Sequence, residues 1–185
     1  VDDVTPNANE EAWADVTGAS AAPGGTGGAN MFHYSNSSLM DGLTVSASYT
    51  PSNGTTEVES SSDYGIVYTG IDGLTIGAAQ GEDNTSSSAG VETETMYVTY
   101  TFDSFSVGYQ TSEDDSETAN SDQDFTALGI SYAVSDDMSV SLNTSTHEYE
   151  SSTLSDQEAM GISVSYTMGS MTLTANHNSI DNVAG

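Results

Sequence analysis

Residues 157–179 read QEAMGISVSYTMGSMTLTANHNS. Taken two at a time, Met160, Ile162, Val164, Tyr166 and Met168 fall on one side, and Ala159, Gly161, Ser163, Ser165 and Thr167 on the other. A side-chain period of two with one apolar side marks a β-strand. Gly169-Ser170 interrupts the run, which resumes with Met171, Leu173 and Ala175 against Thr172, Thr174 and Asn176. Two alternating runs joined by a two-residue, glycine-containing link form a tight hairpin.

The same unit recurs from Met31 onward. Its spacing predicts about ten strands, near 31–38, 43–51, 63–71, 74–82, 94–102, 105–113, 125–134, 138–149, 157–168 and 171–179. Met40-Asp41-Gly42, Asp72-Gly73, Asp103-Ser104, Ser135-Asp136-Asp137 and Gly169-Ser170 are short turns. Between them lie the longer, polar segments Pro51 to Ser62, Asp83 to Thr93, Ser112 to Asp124 and Glu150 to Asp156. Strict alternation of short and long links in an antiparallel up-and-down sheet puts every long loop on one rim. Residues 1–30 differ: acidic up to Val16, then rich in Gly, Ala and Pro, they read as one long loop with one or two helical turns around Trp13. Two segments follow, loop 1–30 and strands with their links over 31–185.

Composition narrows the partners. The 185 residues suffice for one domain, but only 35% are hydrophobic, too few to bury both sides of a large sheet. There is no Cys, Lys or Arg against 28 Asp and Glu, giving a formal charge of -28. No side chain can neutralise phosphates, which excludes a nucleic-acid partner. Strand periodicity argues against disorder despite the charge. The acids lie before Asn30, in links, or at strand ends, where water solvates them. The chain starts at Val1 and stops at Gly185 in mid-loop, as an excised piece would.

Each strand has an apolar and a polar side. The apolar set includes Leu43, Val45, Leu74, Ile76, Met96, Val98, Val107, Tyr109, Val140 and Leu142. The polar set includes Ser46, Ser48, Thr75, Thr99, Gln110, Ser141, Asn143, Ser163, Ser165 and Asn176, small and uncharged. A soluble sandwich would turn the apolar set inward against a second sheet. A transmembrane barrel would turn it outward to lipid, with the hydroxyls around a water-filled lumen. Three features favour the barrel: loop sorting, the uncharged polar face, and aromatics near strand ends (Tyr49, Tyr64, Phe102, Phe105, Phe125, Tyr132, Tyr149, Tyr166). Strands of roughly ten residues cross a bilayer when tilted, whereas no apolar stretch approaches the ~20 residues of a spanning helix.

The segment MFHYSNSSLMDGLTVSASYTPS, from Met31, resembles the strand and turn after the constriction loop of Gram-negative outer-membrane porins, through Tyr34, Ser35, Gly42, Leu43, Ser46, Ser48 and Tyr49. DYGIVYTGIDGLTIGAAQGED and FTALGISYAVSDDMSVSLNTS are similar to porin hairpins. The resemblance implies a homotrimeric diffusion channel in the outer membrane, each barrel having about sixteen strands, of which this chain supplies an internal or truncated portion. It also implies that residues 1–30 form the constriction loop, with Glu10, Glu11 and Asp15 as its acidic lining and His33 where the family usually has Arg. The cationic half of the usual transverse field is missing, because the chain has no arginine.

Other chemistry is sparse. The chain contains no GxSxG, HExxH or CxxC, and a P-loop needs a Lys it lacks, so no enzyme is expected. Asp114, Asp115, Asp122 and Asp124 are candidate Ca²⁺ ligands, weighed against a merely solvated acidic loop. No other cofactor is expected than such loop-bound divalent cations. The functional expectation is a passive channel for small hydrophilic solutes, preferring cations. The rival is a secreted or surface-attached β protein, an adhesin or self-assembling fibre, itself a candidate Ca²⁺ binder.

Overall fold

The computed structural model describes residues 31–52, 59–84 and 90–183. The loop expected over 1–30, with Glu10, Glu11, Trp13 and Asp15, lies outside them. Ten strands make one antiparallel sheet in sequence order: β1 (Phe32–Met40), β2 (Leu43–Thr50), β3 (Ser61–Ile71), β4 (Leu74–Asp83), β5 (Val91–Phe102), β6 (Phe105–Ser116), β7 (Gln123–Ser135), β8 (Met138–Tyr149), β9 (Gln157–Met168) and β10 (Met171–Asp181). Among the described residues the sheet is open, with β1 and β10 at its edges.

The short turns follow local chemistry. Gly42 and Gly73, each the second residue of its turn, take φ of 76° and 73°. A left-handed residue there matches the twist of the flanking strands, and glycine carries no Cβ penalty. At Asp103-Ser104 the left-handed residue is Asp103, with φ of 53°. Aspartate tolerates this conformation better than most residues.

On the long-loop rim the strands extend further than the pattern implied. β6 continues to Ser116 and β7 begins at Gln123, so the link expected over Ser112 to Asp124 shrinks to 117–122. The polar partner of each acid holds the extension: Thr93 Oγ1 donates to Asp114 Oδ1 at 2.6 Å, and the Ser116 amide donates to Asp122 Oδ1 at 2.9 Å.

Register sorts the side chains into two faces. Pairs such as Val98↔Tyr109, Val107↔Ile130, Ile130↔Leu142 and Leu142↔Ile162 run across the sheet on one side. On the other, the row Thr75–Thr99–Gly108–Gly129–Asn143–Gly161–Asn178 runs through the same strands. The apolar side is the exposed one: Ile162 is 46% exposed, Ile76 46% and Leu173 62%. On the inner strands polar-side residues are sheltered, with Gln110, Asn143 and Ser163 all at 0%, while on the edge strands β1 and β10 residues such as His33 and Asn176 are exposed. The buried apolar residues among those described are only Phe125, Ala127 and Ala159, with Ile180 packed against them.

This inversion excludes the soluble sandwich. A water-soluble monomer does not leave a continuous Val/Ile/Leu/Tyr wall uncovered while burying serines and carboxamides. In lipid the same arrangement is favourable, because every strand but the outermost two satisfies its backbone groups on both sides.

Two aromatic assignments need correction. Phe125 pairs with Ser112 and His147, and Tyr149 with Gln123, all on the polar side. Phe125 is 1% exposed and meets the His147 ring edge-on, while Tyr149 stacks on that ring. Their nearness to strand ends suggested an interfacial girdle, but their parity places them on the opposite face. The expected girdle residues Phe102, Phe105, Tyr132 and Tyr166 do face outward at the short-turn rim, with Phe105 and Tyr132 stacked at 4.4 Å between ring centroids. Such a pair is worth about 0.5–1.5 kcal/mol beyond its buried area.

Candidate functional site

The polar face is where the expected site residues gather. Ser46 and Ser48 on β2, Thr75 on β4, Thr99 on β5, Gln110 on β6, Ser141 and Asn143 on β8, Ser163 and Ser165 on β9 and Asn176 on β10 all share it. His33 on β1 joins them, directly opposite Ser48 and itself exposed. His147 shares the face, whereas His177 pairs with Ile162 on the apolar side.

Hydroxyls stitch neighbouring strands together across this face. Ser141 Oγ and Ser163 Oγ are 2.8 Å apart and Thr95 Oγ1 donates to Ser112 Oγ at 2.9 Å, while within β6 Gln110 Nε2 donates to the same Ser112 oxygen at 3.4 Å. His147 Nε2 donates to Gln123 Oε1 at 2.6 Å.

The acids split by face, which the sequence reading did not separate. Asp63, Asp83 and Asp114 lie on the polar face, in register with Ser48, Val91 and Thr93. Ser48 Oγ donates to Asp63 Oδ2 at 2.7 Å, and Asp63 Oδ1 occupies the space a side chain at Gly81 would fill. Glu82, Glu92, Glu94, Glu113, Asp115, Asp124 and Glu148 fall on the apolar side, above the hydrophobic band on the long-loop rim. The signal that would have found the three inward acids is parity: each is an even number of residues from a small residue of the polar set, such as Gly65 or Gly81.

The four candidate Ca²⁺ ligands are divided between the faces. Asp114 is on the polar face and Asp115 and Asp124 on the other, while Asp122 accepts a backbone N–H in the link. Among the described residues no three His or acidic side chains are placed to hold a metal ion.

A wall with a polar sheltered side, an apolar exposed side and strands of 8–13 residues is part of a transmembrane β-barrel. The model of the Gram-negative porin family matches residues 1–185, and the chain belongs to that family. Its place is the bacterial outer membrane. The fold matches a solved porin with a TM-score of 0.66 at 15% identity, over 97% of this chain and 67% of that one. OmpT, an outer membrane protein of Vibrio cholerae, matches with a TM-score of 0.57 at 20% identity, over 82% of this chain and 53% of its own. The trimer form of OmpT matches with a TM-score of 0.56 at 17% identity, over 82% and 54%. At these identities the likeness is one of fold, and the chain spans about half of OmpT and two thirds of the other porin. No curated protein matches the sequence.

Proposed function

We propose that this chain is a portion of a water-filled channel through which small hydrophilic solutes pass by diffusion, with a preference for cations. The carrying observation is the charge of the polar face. It holds the carboxylates of Asp63, Asp83 and Asp114, and the chain has no Lys or Arg to oppose them. Carboxylates along a low-dielectric wall focus a negative potential and raise the local concentration of cations, an effect that salt weakens over about 8–10 Å. The hydroxyls and carboxamides of Ser46, Thr75, Thr99, Ser165 and Asn176 hold the water column.

In this reading residues 1–30 narrow the channel, with Glu10, Glu11, Asp15 and His33 around the constriction. A homotrimer is the proposed assembly; the trimer form of OmpT, sharing the fold, supports it. The test is the reversal potential of the protein in a planar bilayer under a salt gradient. The sign for cation preference is expected, and an anion-selective sign overturns the proposal.

A further inference from the structure

Over β2 to β5 the polar face is paved with small side chains, and Tyr97 is the largest residue on it. It stands midway along β5, in the cross-strand row Val67–Gly77–Tyr97–Gln110. Gly77, its direct partner on β4, does not take the positive φ of the turn glycines. No backbone conformation therefore calls for a glycine there, although glycine weakens the interior of a strand. The Tyr97 ring supplies the reason. A Cβ on Gly77 would overlap Cε1 and Cζ of that ring and crowd its hydroxyl. The ring thus reaches across from β5 and lies down on the wall over Gly77, which is buried. The other directions are taken: Gln110 is fully buried on the β6 side, and Thr95 and Thr99 flank Tyr97 on the same face of β5.

We propose that Gly77 is the seat of Tyr97, and that the pair sets the clear width of the channel midway along this wall and with it the largest solute that passes. The inference rests on the reading that the polar face lines a water-filled channel, and deepens it by naming the residues that set a size limit. Gly77 is the positioning residue and Tyr97 the one that meets the solute. Any side chain at 77 takes the place the ring now fills. What it meets is the far end of a flexible side chain, so the ring yields before the backbone does. With Gln110 and the two threonines around it, the displaced ring turns up from the wall into the water column. Carbon atoms in contact stay about 3.5–4.0 Å apart, so even the methyl group of alanine lifts it. Passage of an uncharged solute is governed by the diameter and lining of the pore. A ring lying flat admits solutes that a raised ring turns back. No charge takes part, which separates this limit from the cation preference assigned to Asp63, Asp83 and Asp114.

The test is the entry of neutral solutes of graded size into vesicles holding the folded full chain. G77A is expected to slow a disaccharide at least about twofold relative to glycerol. G77A/Y97S, which removes the ring, is expected to restore the parent ratio. Unchanged disaccharide entry in a G77A that circular dichroism shows to be folded overturns the seat. Y97S alone adds nothing at 77 and decides the question if G77A does not fold. It is expected to change the ratio by less than about twofold, because the seated ring already lies against the wall. A larger gain in Y97S would show a ring standing in the channel and overturns the seat as well. A second readout needs no transport: a water-soluble nitrating reagent acts on the chain in detergent, and mass spectrometry follows the fragment 95–113 released by a Glu-specific protease. Half-buried Tyr97 is expected to be nitrated severalfold faster in G77A than in the parent, with the outward Tyr100 of the same fragment unchanged. A parent whose vesicles admit no solute loses the channel reading, and the nitration rates still decide the seat: equal rates at Tyr97 overturn it.

Discussion

Glu94 on β5 stands directly opposite Glu113 on β6, on the outward side of the sheet and one rung above Met96 and Thr111. The rung continues from Glu113 to Asp124 and from Asp124 to Glu148, so four carboxylates abreast cross four strands. Like charges directly opposite each other weaken strand pairing, and the chain has no Lys or Arg to relieve them. Neutralising one of them in E113Q is expected to raise the unfolding temperature in detergent, with the gain shrinking as salt is added. Thermal scans at low and high ionic strength check both parts, and a gain that ignores salt would show that repulsion is not its source.

Neighbouring residues on β5 should respond oppositely to the same charge. Val98 lies in the outward apolar band and Thr99 on the polar face. Arginine facing the bilayer midplane costs about 2–4 kcal/mol, so V98R is expected to lose that much on folding into lipid vesicles. T99R should remain within about 1 kcal/mol of the parent, because its side chain reaches water. Denaturant titration in vesicles measures both, and equal losses would contradict the assignment of faces.

Two turn glycines differ in what surrounds them. Both are left-handed, Gly73 at φ of 73° and Gly169 at 62°. A Cβ on Gly73 would run into the Thr101 carbonyl oxygen, whereas nothing lies within 4 Å of one on Gly169. G169A is therefore expected to cost only the conformational penalty of about 1–2 kcal/mol, and G73A distinctly more. The comparison is made by the same unfolding titration.

Selectivity should follow the face of the acid and not its number in the chain. D114N removes a carboxylate from the polar face, while E113Q removes one from the outward side. In bilayer recordings D114N is expected to move the reversal potential toward zero, and E113Q to leave it close to the parent value at physiological salt, where screening acts over ~8 Å.

Much of the fold was legible because one physical rule, the period of two, acts on every strand. It located ten strands and all five short turns, since glycine and aspartate occur where the chain must reverse. What it missed has a common cause. Phe125, Tyr149, Asp63 and Asp114 were sorted by distance from a strand end, which says how deep a side chain sits but not which face it takes. Face is fixed by pairing, as in Phe125 opposite Ser112 and His147. The strand extensions to Ser116 and from Val91 were hidden because charged residues there suggested a loop, yet their Thr and Ser partners on the other face continue the ladder.

The orientation of the two faces is most directly tested on β9, in a chain that has no native cysteine to confuse labelling. Single cysteines at 160 to 165 in the protein folded into bilayers would be exposed in turn to a water-soluble thiol reagent and to a lipid-dissolved one. Half-buried position 165 is expected to react only from water, buried 161 and 163 not from lipid, and 160, 162 and 164 only from lipid. The reverse alternation, or uniform reaction from water at all six, would contradict the outward-facing apolar wall on which the channel depends.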